Sequence, residues 1–173
     1  PRAFQPAAPI AEADIQAMFE AARWSPSSSN TQPWRYRYAT AASPEAFQRL
    51  QQLLKPGNEV WAQHASMLVL SYALTYDPHE DRQQAYAAYD LGAANLAFTL
   101  QAESMGYKVH QMAGFDQAAA RERFGLAEYE QPLVMLAVGR LGDAAQLPDH
   151  LQAREQATRQ RKPLAEIVQP VAG

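Results

Sequence analysis

Ile15, Met18, Phe19 and Ala22 fall at i, i+3, i+4 and i+7, a spacing that predicts an amphipathic helix over 12–23. Pro26 limits it, because a residue preceding proline disfavours helical angles. The polar stretch Ser25 to Pro33 reads as a loop, and Trp34-Arg35-Tyr36-Arg37-Tyr38 alternates aromatic with basic side chains in the manner of a half-buried strand. Ser43-Pro44-Glu45 offers a hydroxyl cap, a proline for the first turn and an acid near the positive end of a helix. Phe47, Leu50 and Leu54 give that helix an apolar edge, and Pro56-Gly57 is expected to end it. A short helical piece over 59–64 precedes Met67 to Tyr72, an apolar run suited to a buried strand. Tyr76 to Asp81 is turn-like. From Gln83 to Met105 the pattern predicts one long alanine-rich helix, with Leu91, Leu96, Phe98 and Leu100 around most of its circumference. Such a helix is expected to be covered on nearly all sides, by the sheet and by a partner subunit. Gly106 ends it, and a short strand follows over 107–111. Asp116 caps a helix running to Phe124 and Gly125, 132–139 is the clearest buried strand, and the remainder reads as an arm with a helix near 149–158. The expected fold class is α+β: one domain over 1–173, a small central sheet flanked by helices, and a tail that packs away from its own subunit.

Composition narrows the function classes. With 173 residues the chain can bury a sizeable core. The absence of cysteine removes disulfides, thiolate metal sites and cysteine nucleophiles together, and with no signal-like start it suits the expected cytoplasmic location. There is no apolar run long enough to span a membrane, and a net charge of −3 gives no overall attraction to nucleic acid or anionic lipid. Neither nucleic acid nor a membrane is therefore an expected partner.

Most signatures of chemistry are missing. Neither a glycine-rich dinucleotide fingerprint nor a P-loop occurs. His64, His79, His110 and His150 lack metal-ligand spacing, and Ser27, Ser28 and Ser29 are not in a nucleophile elbow. What stands out is Ser25-Pro26-Ser27-Ser28-Ser29-Asn30-Thr31-Gln32-Pro33, where amides and hydroxyls supply both donors and acceptors from a backbone stiffened by two prolines. A planar heterocycle with carbonyl and imine edges needs that mixture; a plain polar turn accounts for the same residues. Gly114 lets backbone approach a ring closely or simply makes a turn. Arg159 and Arg161 offer planar forks to phosphate or form a solvated basic tail.

The string Ala21-Ala22-Arg23-Trp24-Ser25-Pro26-Ser27-Ser28-Ser29-Asn30-Thr31-Gln32-Pro33-Trp34 closely resembles the proline-serine-serine-x-asparagine-x-glutamine-proline-tryptophan signature of nitroreductase-like flavoproteins. Gly57-Asn58-Glu59-Val60-Trp61, His110-Gln111-Met112-Ala113-Gly114-Phe115-Asp116 and Arg159-Gln160-Arg161-Lys162-Pro163-Leu164 resemble further family segments in the same order. The resemblance implies an FMN site to which Pro26, Ser27, Ser28 and Asn30 contribute across a homodimer interface. It implies that Asn58 meets the ring carbonyls, and that the backbone of Ala113 and Gly114, with Gln111 and Met112 alongside, approaches the ring nitrogen where hydride arrives. Arg159 and Arg161 would hold the phosphate, and Trp61, His110 and Phe115 would line the substrate pocket, although Trp61 suits plain packing and His110 a structural role equally. A reduced flavin gathers negative charge on its pyrimidine side, where Arg2, Asn58 and a backbone amide are the candidate donors. Ala113 stands where relatives often carry an acid, and Trp61 where some carry a lysine. Relatives usually begin with a helix and an arginine-arginine-serine phosphate grip; this chain opens at Pro1-Arg2-Ala3-Phe4, which looks like the stretch just after it, so that helix is expected upstream of Pro1. The implied activity takes hydride from NADH or NADPH and reduces a nitroaromatic, quinone or enone in a ping-pong cycle. No side chain is required as a catalyst. A flavin-binding or flavin-modifying relative without reductase activity, and a non-catalytic dimeric interaction module, are the alternatives.

Overall fold

The computed structural model describes residues 1–6 and 8–171. In chain order the elements are α1 (Glu12–Arg23), β1 (Trp34–Thr40), α2 (Pro44–Gln51), α3 (Pro56–Ala62), β2 (Met67–Leu74), β3 (Tyr76–Asp77), β4 (Arg82–Gln83), α4 (Ala87–Ser104), β5 (Lys108–Met112), α5 (Gln117–Phe124), β6 (Glu130–Gly139) and α6 (Asp149–Gln156). The main sheet has the order β1-β2-β6-β5, and every neighbouring pair is antiparallel.

The apolar run of β2 follows from burial on both faces. Successive strand residues point to opposite sides. Leu68, Leu70 and Tyr72 pack with Phe4, Phe47, Leu50 and Trp61, while Met67, Val69 and Ala73 pack with Ile15, Met18, Leu91 and Phe98 from α1 and α4. Antiparallel sheets commonly leave one face to water, but here helices cover both. One polar position interrupts the second face. Ser71 is buried and its hydroxyl accepts from Asn95 Nδ2 of α4 at 2.9 Å, and Asn95 Oδ1 accepts from the Tyr36 hydroxyl at 3.1 Å. Burial pushes the Tyr36 pKa far up, so that hydroxyl remains a donor.

Several sequence expectations shift. The second helix ends at Gln51, and Pro56 opens α3 instead of closing α2, since its fixed φ suits a first helical position. Ser43 precedes α2 but makes no side-chain capping bond. The long helix starts at Ala87, because residues 76–83 fold back as the β3–β4 hairpin, with Asp77 Oδ1 accepting the His79 amide at 2.9 Å. Within this chain α4 is covered on one side only: Tyr89, Leu96 and Leu100 are exposed. The helix of the arm packs on its own subunit through Leu151, with Leu147 beside it, whereas 156–171 is exposed throughout.

Candidate functional site

Two motifs 56 residues apart are bonded to each other. The Gly114 carbonyl, two residues past the end of β5, accepts from the Lys55 amide at 3.0 Å and from Asn58 Nδ2 at 3.0 Å. Asn58 can reach it because it lies in the first turn of α3, where its own amide donates to the Lys55 carbonyl at 2.8 Å. The two segments stay laced beyond that point: the Asp116 amide donates to the Leu53 carbonyl at 2.8 Å, and Leu54 bridges Phe115. A Cβ on residue 114 would sit 2.5 Å from Asn58 Nδ2, so the close approach requires glycine. Ala113 is exposed and opens on a shallow cleft of about 650 Å³ that Leu54, Lys55, Pro56 and Asp116 also line. Lys55, which no sequence motif singled out, precedes the proline-initiated α3 and also lines that cleft.

Of the residues expected in the substrate pocket, Phe115 lines the cleft beside Ala113 and Trp61 does not. Trp61 is fully buried, stacks on Phe4 at 6.1 Å, meets the His110 ring at 4.5 Å and donates from Nε1 to the Gly57 carbonyl at 3.1 Å. Phe115 is 3% exposed and belongs to the same core cluster, as does Met112. Apolar burial against the sheet holds these side chains inward, so they support the site from behind. His110 is half-buried, with Nδ1 2.7 Å from the Pro1 carbonyl, and burial holds its pKa below the ordinary value. Gln111, from the opposite face of β5, donates to Thr99 Oγ1 at 3.0 Å and to the Asn95 carbonyl at 3.3 Å.

A second centre is basic. Arg2, Lys108, Arg154 and Arg159 line a cavity of about 670 Å³ together with Glu103 and Glu155. The Arg2 amide donates to both Glu155 carboxylate oxygens at 2.9 Å, and its guanidinium lies 4.0 Å from the same group. Arg2 and Arg159 are thus brought together across nearly the whole chain. Arg161 is not among the lining residues and donates to the neighbouring Gln160 carbonyl at 2.9 Å. Lys108 and Arg154 are additions. Lys108 shares a strand face with His110, and Arg154 stands in the last turn of α6.

The serine loop forms a third centre. Ser27 Oγ accepts the Gln32 amide at 3.0 Å, while Ser29, Asn30 and Gln32 take left-handed φ values of 51°, 56° and 48°. Pro26, Ser28 and Asn30 are exposed, and Ser27 is half-buried. Ser28 and Ser29 line a cavity of about 150 Å³ with Arg82, Gln84 and Asp90. Among the described residues no hydrogen bond joins this loop to Asn58 and Gly114 or to Arg2 and Arg159, and it lines neither of their cavities.

With that geometry in place, similarity to known proteins defines the class. The Nitroreductase family model matches residues 1–140, and the chain belongs to that family. A 15.4 kDa protein of Mycolicibacterium smegmatis is 39% identical over 127 residues, covering 73% of this chain and 83% of that one. YdgI of Bacillus subtilis, named for NAD(P)H nitroreductase activity, is 27% identical, covering 82% of this chain and 84% of its own. A crystal structure described as the oxidoreductase containing FMN superposes with a TM-score of 0.92 at 34% identity, covering 97% of this chain and 85% of that one.

Proposed function

We propose that the protein is a homodimeric, FMN-dependent oxidoreductase that takes hydride from NADH or NADPH and passes electrons to a small acceptor, of the nitroaromatic, quinone or enone class. The observation that carries this reading is the Asn58–Gly114 clasp, which turns two separate family motifs into one bonded surface beside exposed Ala113. FMN, when bound, supplies the two-electron chemistry, and the chain's residues need only hold it and shape its surroundings.

The residues suit that cofactor at both ends. The four cations around the 670 Å³ cavity outnumber its two carboxylates, Glu155 beside Arg2 and Glu103 paired with Lys108, and so suit a phosphate, with Arg2 and Arg159 offering forked donors. At the other end Gly114 leaves room for the Asn58 carboxamide, and exposed Ala113 beside it presents only a methyl group, so a flat ring can lie close to backbone. Pro26, Ser27, Ser28 and Asn30 line neither centre in their own chain, which favours their use by a second subunit. The exposed apolar face of α4, including Tyr89, Leu96 and Leu100, suits the same assembly.

Titrating the purified full-length protein with FMN should quench flavin fluorescence, and adding NADH or NADPH anaerobically should bleach the flavin absorbance. The absence of both FMN binding and NAD(P)H oxidation would sink the reading. A flavin-binding relative without turnover is the second reading, favoured by burial of Trp61, which leaves position 61 without a cation at the site. It predicts a bound flavin that stays oxidised after mixing with either nucleotide.

A further inference from the structure

We infer that Asp90 is a positioning residue that holds the serine loop in its cofactor-facing shape, an inference that rests on the flavin reading above for its consequence but not for its geometry. Asp90 lies in the first turn of α4, is 3% exposed, and accepts the Ser28 amide on Oδ2 at 3.1 Å. A buried carboxylate is costly unless something compensates. Here the compensation is a charge-assisted bond from backbone and the positive end of α4.

The loop needs such an anchor. Ser29, Asn30 and Gln32 are non-glycine residues with positive φ, conformations that persist only where surrounding structure enforces them. The loop's other bonds are local: Asn30 amide to Ser27 carbonyl, Thr31 amide to Ser28 carbonyl, and Gln32 amide to Ser27 Oγ. Among the described residues, the Ser28–Asp90 bond is the one hydrogen bond tying 25–32 to an element distant in sequence. Arg82 Nε and Gln84 Oε1, which face the same small cavity, are buried without partners. Ser28 itself is exposed, so the carboxylate fixes the loop from behind and leaves its outer surface free for a ligand.

Amide hydrogen exchange and FMN titration test this together. In the full-length wild-type protein the Ser28 amide should exchange at least about tenfold more slowly than an open loop amide. Asp90→Leu should remove that protection and raise the Kd for FMN about tenfold or more, the scale of one lost bond to a charged acceptor. Asp90→Asn keeps an acceptor oxygen and should restore both values to within about threefold. A merely structural role would lower the melting temperature in both variants and show no such rescue. A Ser28 amide exchanging at the open-loop rate in wild type overturns the inference, and that measurement needs no variant to fold. Unchanged exchange and FMN affinity in folded Asp90→Leu overturn it as well. If wild type binds no FMN the flavin reading falls, while the exchange data still decide whether Asp90 holds the loop.

Discussion

Gly114 and Asn58 give the sharpest test at the scale of single residues. Gly114→Ala puts a methyl group where Asn58 Nδ2 lies, and the carboxamide must swing away. The loss of one neutral hydrogen bond costs about 1 kcal/mol. A melting point lower by a few degrees and a weaker FMN Kd are the expected readouts, with larger side chains at 114 abolishing binding. His110 carries a pH prediction. Burial lowers its folded pKa below 6.5, so the unfolded chain takes up a proton first as pH falls. Its contribution to stability is therefore intact above the ordinary histidine range and declines as pH drops through it, levelling off below the lowered value. Thermal melts from pH 7.5 to 5 should show this slope, and His110→Gln should flatten it. An identical slope in the variant would place the titration elsewhere. Trp61 shows why residue identity alone misleads. Position in the motif suggests a pocket wall, but the indole is large and apolar, and its neighbours Phe4 and His110 draw it into the core.

At the scale of elements, two helix starts look alike in sequence and differ in space. Asp116 Oδ1 accepts the Ala119 amide at 2.9 Å and α5 closes on Gly125 with φ of 60°, as the residue types predict. Ser43 makes no equivalent bond before α2. Asp116→Ala is accordingly expected to cost about 1 kcal/mol and Ser43→Ala a few tenths at most, measured by urea denaturation. Equal costs would show that the capping contrast carries no energy. Helix and strand identities were largely legible because period and punctuation agree for α1, β1, β2 and β6. Boundaries around Pro56 and Gln83 were not, since proline serves a helix start as well as a stop and the 76–83 hairpin is only two residues deep on each side.

Across the whole molecule, α4 has one face in the core and another in solvent. Leu96 is 55% exposed and Leu100 is 61% exposed, on a helix otherwise tied to the sheet through Asn95. Burying each leucine in a subunit interface contributes about 1–2 kcal/mol. The double variant Leu96→Glu/Leu100→Glu should keep the wild-type circular dichroism, sediment as a monomer and bind FMN poorly. Wild-type protein that sediments as a monomer with flavin bound would instead remove the dimer from the proposal.

The α+β class, the buried apolar run of β2 and the family motifs around Asn30, Asn58 and Gly114 were legible in the sequence. Those features are local, written in period, punctuation and residue type. Only in the folded chain do Asn58 and Gly114 share a bond, do Arg2 and Arg159 line one cavity with Lys108 and Arg154 while Arg161 does not, does Trp61 turn into the core, and does Asp90 accept the Ser28 amide. Each of these depends on which distant segments the sheet brings together, and no periodicity within a single segment encodes its neighbour.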